Sequence, residues 1–164
     1  MTTTYDCIAT ETTSSTTSSI TFSSIPSTYT DLVLVINNAA VNTVSYVGMR
    51  FNGDTANNYG STRLYGVGGT TYSDASGNRG EMLVGTATAS GSQLTVCHIF
   101  NYTNTTTFKT VLSRDNTTSL RVGLLACSWF KSTPEAINSI TLLVPDSSGW
   151  TADSTFALYG IKAE

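Results

Sequence analysis

The chain has 164 residues, 40% of them apolar, and a formal net charge of −3: enough for one domain with a real core and too few for two. Only 12% are charged, about half the usual ~25%, with Ser and Thr at roughly 30% of the chain in their place, and the supply of Val, Ile, Leu and aromatics excludes a disordered chain. Eight scattered basic residues and a pI near 5.0 exclude a phosphate-binding surface, and no apolar run approaches the ~20 residues that span a bilayer, so neither nucleic acid nor membrane is an expected partner.

Met1 to Asp6 has no basic n-region and no apolar stretch follows, so no secretory signal is expected. Residues 1–17 read as a polar N-terminal arm or edge segment, and 18–164 as the folded domain. A short strand is expected over 7–10. The stretch 12–19 (TTSSTTSS) has no apolar and no charged residue. It is either a polar edge strand or surface loop or, with residues 1–6, an arm that another subunit orders. Strands follow at 19–23, 31–39 and 45–52. The segment 31–39 (DLVLVINNA) is apolar on both faces, as a central strand covered on both sides would be. The loop 52–58 (NGDTANN) reads as an Asx-rich turn, with a weak Ca²⁺ site as the alternative; it holds one carboxylate and lacks a closing Glu. Residues 57–64 are the one place where a short helical turn fits.

A strand at 63–67 runs into Gly66, Gly68 and Gly69, which read as a hairpin turn because no G-K-[ST] and no helix follow. Further strands are expected at 81–85, 92–102, 107–114, 119–130, 139–144 and 155–162. Residues 114–118 (RDNTT) read as the turn of a hairpin between two long strands. The last two strands alternate, so one face of each should meet water or a partner. No 3.6-residue period occurs, which predicts under about a tenth helix. Many short strands without intervening helices predict an all-β fold, a two-sheet antiparallel β-sandwich of jelly-roll type with four strands per sheet. Leu32, Leu34, Ile36, Val96, Ile99, Leu124, Leu142, Phe156 and Leu158 are the expected core.

Chemistry is sparse. Cys7, Cys97 and Cys127 form no C-x-x-C pair. They read as free thiols, with a Cys97–Cys127 disulfide left open if their strands are neighbours. His98 is the only histidine and follows Cys97 in one strand, so the two side chains point to opposite faces and make a poor nucleophile pair. The acids Asp54, Asp74, Asp115, Asp146 and Asp153 read as turn residues, and no carboxylate pair stands out for hydrolysis. No metal, cofactor or catalytic residue is expected. The remaining functional material is aromatic. Tyr59, Tyr65 and Tyr72, near glycines, are the candidate surface-contact residues, since Tyr joins a flat apolar body to a polar edge.

The segments SSITFSSIPSTYTDLVLVINNA (18–39), ANNYGSTRLYG (56–66), FNYTNTTTFKTVLSR (100–114), LLACSWFKST (124–133), AINSITLLV (136–144) and STFALYGIK (154–162) occur in an order that resembles small structural proteins of tailed phages, especially those of marine bacteria and cyanobacteria. The resemblance implies a virion β-sandwich protein, made in the host cytoplasm and carrying no catalytic residues. Such domains occur in head-surface proteins and in tail fibres. The chain reaches its sandwich almost at once, with no expected docking segment or trimeric shaft. That favours a capsid decoration or cement protein bound to the major capsid protein or other virion proteins, as a homo-oligomer and most readily a trimer. The alternative is a tail-fibre or baseplate receptor-binding protein with a host glycan as ligand.

Overall fold

The computed structural model describes residues 4–89, 93–118, 120–145 and 149–162. They form twelve strands and no helix: β1 (Tyr5–Thr12), β2 (Ser19–Phe22), β3 (Asp31–Asn37), β4 (Ser45–Phe51), β5 (Tyr59–Val67), β6 (Thr70–Arg79), β7 (Met82–Ala87), β8 (Leu94–Ile99), β9 (Lys109–Thr117), β10 (Arg121–Trp129), β11 (Ile140–Leu143) and β12 (Thr155–Ile161). Met1–Thr3, Ser92, Ser119 and Asp146, which carried parts of the expectations above, lie outside the described residues.

All pairings are antiparallel, in a sheet ordered β1-β12-β3-β8-β9-β10-β5-β6 and a second ordered β2-β11-β4-β7. Without β5, β6, β9 and β10, the order is β1-β12-β3-β8 over β2-β11-β4-β7. The chain then changes sheet at every step except β4 to β7. That alternation is the jelly-roll winding, four strands over four. The two remaining hairpins are insertions. β9 adds to β8, β10 to β9, and β5 to β10, which lengthens one sheet to eight strands. The expectation of four strands per sheet is therefore corrected: the sheets have eight and four strands, because both hairpins extend the same one.

The core lies between the sheets. Leu32, Leu34, Ile36, Ile99, Leu142, Phe156 and Leu158 are all buried there. Two expected core residues are not. Leu124 is 53% exposed, and Val96 is only half-buried, because the inner face of β10 belongs to Leu125, Cys127 and Trp129, and that of β8 to Thr95, Cys97 and Ile99. β3 is central, but only its even-numbered residues reach the core; Val33 and Val35 sit half-buried on the open outer face rather than under a covering layer. Residues 59–64 are strand, not a helical turn, and β6 was not anticipated at all. The β9–β10 hairpin is present, with its bend beyond Thr117, so Asp115 and Asn116 are strand residues and not turn residues.

The polar N-terminal stretch is held by its own chain. β1 pairs along β12. Beyond it the Thr13 N–H donates to the Ser154 carbonyl (3.0 Å), and the Thr17 N–H to the Trp150 carbonyl (2.9 Å). The Thr13 hydroxyl donates to the Thr151 carbonyl (2.6 Å). Paired backbone groups supply here what apolar side chains cannot.

The smaller sheet ends on β7, buried along its whole length. Its free edge meets no strand. Instead, short polar side chains from the inner face of the large sheet occupy it. Ser61 Oγ accepts the Leu83 N–H (2.9 Å), and an Asp115 carboxylate oxygen accepts the Thr86 N–H (2.9 Å). The Ser113 hydroxyl donates to the Val84 carbonyl, and the Cys127 thiol to that of Leu83 (3.2 Å). An exposed row of backbone donors and acceptors is thus satisfied inside the molecule.

Candidate functional site

Two surfaces are built with more than the fold requires. The first is a cleft where the β5–β6 hairpin projects beyond β7. The turn Gly68–Gly69, with φ of 54° and 88°, is the two-residue type that suits the strand twist, and only glycine adopts both angles at little cost. It sets the register: Tyr65 opposite Tyr72, and Arg63 opposite Asp74. The two Tyr rings stack at 5.3 Å. Arg63 lies 4.8 Å from the Tyr46 ring centroid and 5.5 Å from that of Tyr65, and Arg121 lies 4.7 Å from Tyr65. Each guanidinium is paired, Arg63 with Asp74 and Arg121 with Asp115. The Arg63 hydrogen bonds hold the Asp74 carboxyl below its ordinary range despite the opposing effect of burial. Val44, Ser45 and Thr86 complete the cleft wall. The result is electrically balanced, with flat rings flanked by fixed donors and acceptors; Tyr46 and Tyr72 keep 43% and 46% exposure.

The second surface is the outer face of the eight-stranded sheet. A directly registered row, Val35–Val96–Arg114–Leu124–Leu64, crosses five strands. Leu112, Leu94, Val122 and Tyr5 lie on the same face, all more than 40% exposed. A shallow groove of about 280 Å³ runs along Tyr5, Val33, Val96, His98, Leu112 and Leu124. Arg114 stands in the middle with no acid opposite it, since its cross-strand neighbours are Val96 and Leu124. Apolar area gathered this way marks contact sites on soluble proteins.

Of the three tyrosines singled out from the sequence, Tyr65 and Tyr72 are together at the cleft. Tyr59 is a correction: it is fully buried, stacked on Trp129 at 6.2 Å, with its hydroxyl accepting the Phe51 N–H (3.1 Å). It opens β5 where that strand dives under the small sheet. Arg63, Arg121 and Tyr46 were missed. The signal for Arg63 was present, because a two-glycine turn at 68–69 places residue 63 opposite 74.

The loop 52–58 is an Asx turn. The Asp54 carboxylate accepts the Ala56 N–H (2.9 Å), the Asn58 side-chain amide (2.9 Å) and the Trp129 indole N–H (2.7 Å). Burial would raise its pKa, but these donors and the Lys131 charge outweigh that and bring it below the ordinary value. With both oxygens taken by N–H groups, the loop is closed on itself rather than open to Ca²⁺. Among the described residues no cluster of three His, Cys, Asp or Glu side chains is placed to hold a metal.

Cys97 and His98 do point apart. Cys97 is buried beside Ser113, while His98 lies half-buried on the outer face, 3.2 Å from Asp31 and stacked on Phe100. Cys97 on β8 and Cys127 on β10 are separated by β9, so they are not neighbours, and all three cysteines are free. Burial pushes the Cys97 thiol up to about 12 and the Cys127 thiol up to about 11. Cys7 is exposed.

No protein-family profile and no curated protein matches the chain. Among solved structures it is similar to an exo-inulinase from Aspergillus awamori at 10% identity and a TM-score of 0.43, over 96% of this chain and 29% of the other. The chain thus spans less than a third of that enzyme, and a likeness at this score carries no weight for its activity.

Proposed function

We propose that this protein is a structural component of a tailed-phage virion, a head decoration protein that docks on the capsid through the outer face of its eight-stranded sheet. The observation that carries the reading is the outer-face row Val35–Val96–Arg114–Leu124–Leu64, an apolar band whose central cation has no ion pair among the described residues. It fits a partner that offers apolar side chains around a carboxylate, because a guanidinium desolvated at an interface needs an acid opposite it. The resemblance of the sequence to phage structural proteins supplies the setting, since a jelly roll by itself serves many functions. Co-sedimentation with emptied heads of the phage tests it. Wild type should pellet with the heads, Leu124→Asp and Arg114→Glu should stay in the supernatant, and Tyr72→Ala should behave as wild type. Head binding that survives both outer-face variants would remove the argument.

The cleft favours a second reading, a receptor-binding protein. Tyr46 and Tyr72 offer exposed rings, and the Arg63–Asp74 pair fixes a donor and an acceptor beside them, the combination that suits the apolar face and hydroxyl edge of a sugar. A glycan array discriminates. Binding abolished by Tyr72→Ala, together with indifference to heads, supports this reading over the first.

A further inference from the structure

Two sheets have four edges, and three of them here are closed to further pairing. β1 carries a register break between Cys7 and Ala9 and presents Asp6 and Glu11. β2 is only four residues long. The β7 edge is occupied by Ser61, Ser113, Asp115 and Cys127. These are the devices by which natural sheets block edge-to-edge contact. β6 carries such devices only towards its far end, where its register with β5 shifts between Ser76 and Arg79; before that its one charge is Asp74, which is bonded to Arg63. It is ten residues long, contains no Pro or Lys, and keeps unbroken register with β5 from Thr70 to Ser76. Seven of its first eight residues are exposed, and Ser76 is half-buried.

The tight turn also says which groups are free. Val67 and Thr70 close the Gly68–Gly69 turn as a hydrogen-bonded pair, so Tyr72, Asp74 and Ser76 likewise point their backbone groups at β5. Thr71, Ser73 and Ala75 must point theirs outward, and their side chains are small and uncharged. We propose that β6 pairs antiparallel with β6 of a second copy of this chain, about a dyad through Ser73. Thr71 then faces Ala75 of the second copy, and Tyr72 faces its Asp74. No like charges meet, and Asp74, already bonded to Arg63, lies next to a tyrosine ring. Three hydrogen-bonded residue pairs form. Because the dyad is perpendicular to the sheet, the two eight-stranded sheets become one, with both outer faces on the same side. The inference stands apart from the virion reading.

Sedimentation velocity on the full chain tests it. Wild type should be a dimer at tens of micromolar. Ser73→Pro, which removes an outward N–H and none that bonds β5, should be a monomer. T71K/A75K sets lysines opposite each other twice and should weaken dimerisation roughly tenfold or more, whereas T71K/A75E sets Lys opposite Glu and should restore it. The lysine and glutamate variants decide the matter if the proline variant misfolds. A monomer at all concentrations, a trimer, or a dimer indifferent to T71K/A75K would each overturn the proposal.

Discussion

Asp115 is the residue whose loss should reach furthest. Its side chain is fully buried, and that of its partner Arg121 is 9% exposed. One carboxylate oxygen serves both Arg121 and the Thr86 N–H on the free edge of β7. Asp115→Ala leaves a guanidinium without its counter-charge, a defect that costs about 3–5 kcal/mol at buried pairs. It also orphans a backbone donor, worth about 1–3 kcal/mol. The two share atoms and will not add in full, so the expectation is about 3–5 kcal/mol. Set against a typical total of about 5–15 kcal/mol, that is a large share. Asp115→Asn keeps an acceptor for Thr86 and loses the charge, so it should fall between alanine and wild type. Adding Arg121→Met to Asp115→Ala should recover part of the loss, because no charge is then left unpaired. Urea titration followed by tryptophan fluorescence reads all of this, since Trp129 and Trp150 are both buried. A loss under about 1 kcal/mol for Asp115→Ala, or a double variant equal to the sum of the singles, would refute the reasoning.

Leu34→Ala should cost about 2–5 kcal/mol in the same titration, whereas Leu124→Ala, on an exposed position, should stay within about 0.5 kcal/mol; equal losses would contradict the strand parity described above. A thiol reagent at neutral pH should label Cys7 alone in the native protein and all three cysteines after denaturation, because burial keeps Cys97 and Cys127 protonated and out of reach; rapid native labelling of a second thiol would be the contrary result. The folded pKa of Asp54 lies below its ordinary 3.8, so its contribution is complete above that pH and is lost as pH falls through the lower folded value. Asp54→Asn should accordingly show a smaller loss of stability than wild type on acidification below about pH 4, and identical pH profiles would show that the Asx turn adds nothing.

The strand content was legible from local pattern because it is a local property: β-branched and aromatic residues in short runs, cut by turn residues, have no other stable arrangement. The β-sandwich class followed, as did the position of β3, whose seven residues hold five aliphatics. Where a strand buries one face only, alternation gave the right parity, as in TFALYGI. It failed where both faces carry apolar residues. In RVGLLACSW either Leu124 or Leu125 could have been the inner one, and a shift of one residue exchanges the faces. It failed again in TTYSDASGNR, where neither face is buried and no alternation exists to be read. Tyr65 and Tyr72 were found because they lie near glycines, a criterion that the buried Tyr59 met equally. Their arginines were not, since Arg121 comes to Tyr65 only through the pairing of β10 with β5.

Chain-local chemistry therefore determined that this protein is all β, where its glycine turn lies and that β3 is an interior strand of its sheet. Tertiary structure alone decided that two hairpin insertions lengthen one sheet to eight strands, that Ser61, Ser113, Asp115 and Cys127 close the edge of the other, and that β6 stays open. The reason is physical. A strand's edge and its second face are satisfied by whatever lies beside them in space, and for Thr86 and Asp115 that neighbour is 29 residues away along the chain.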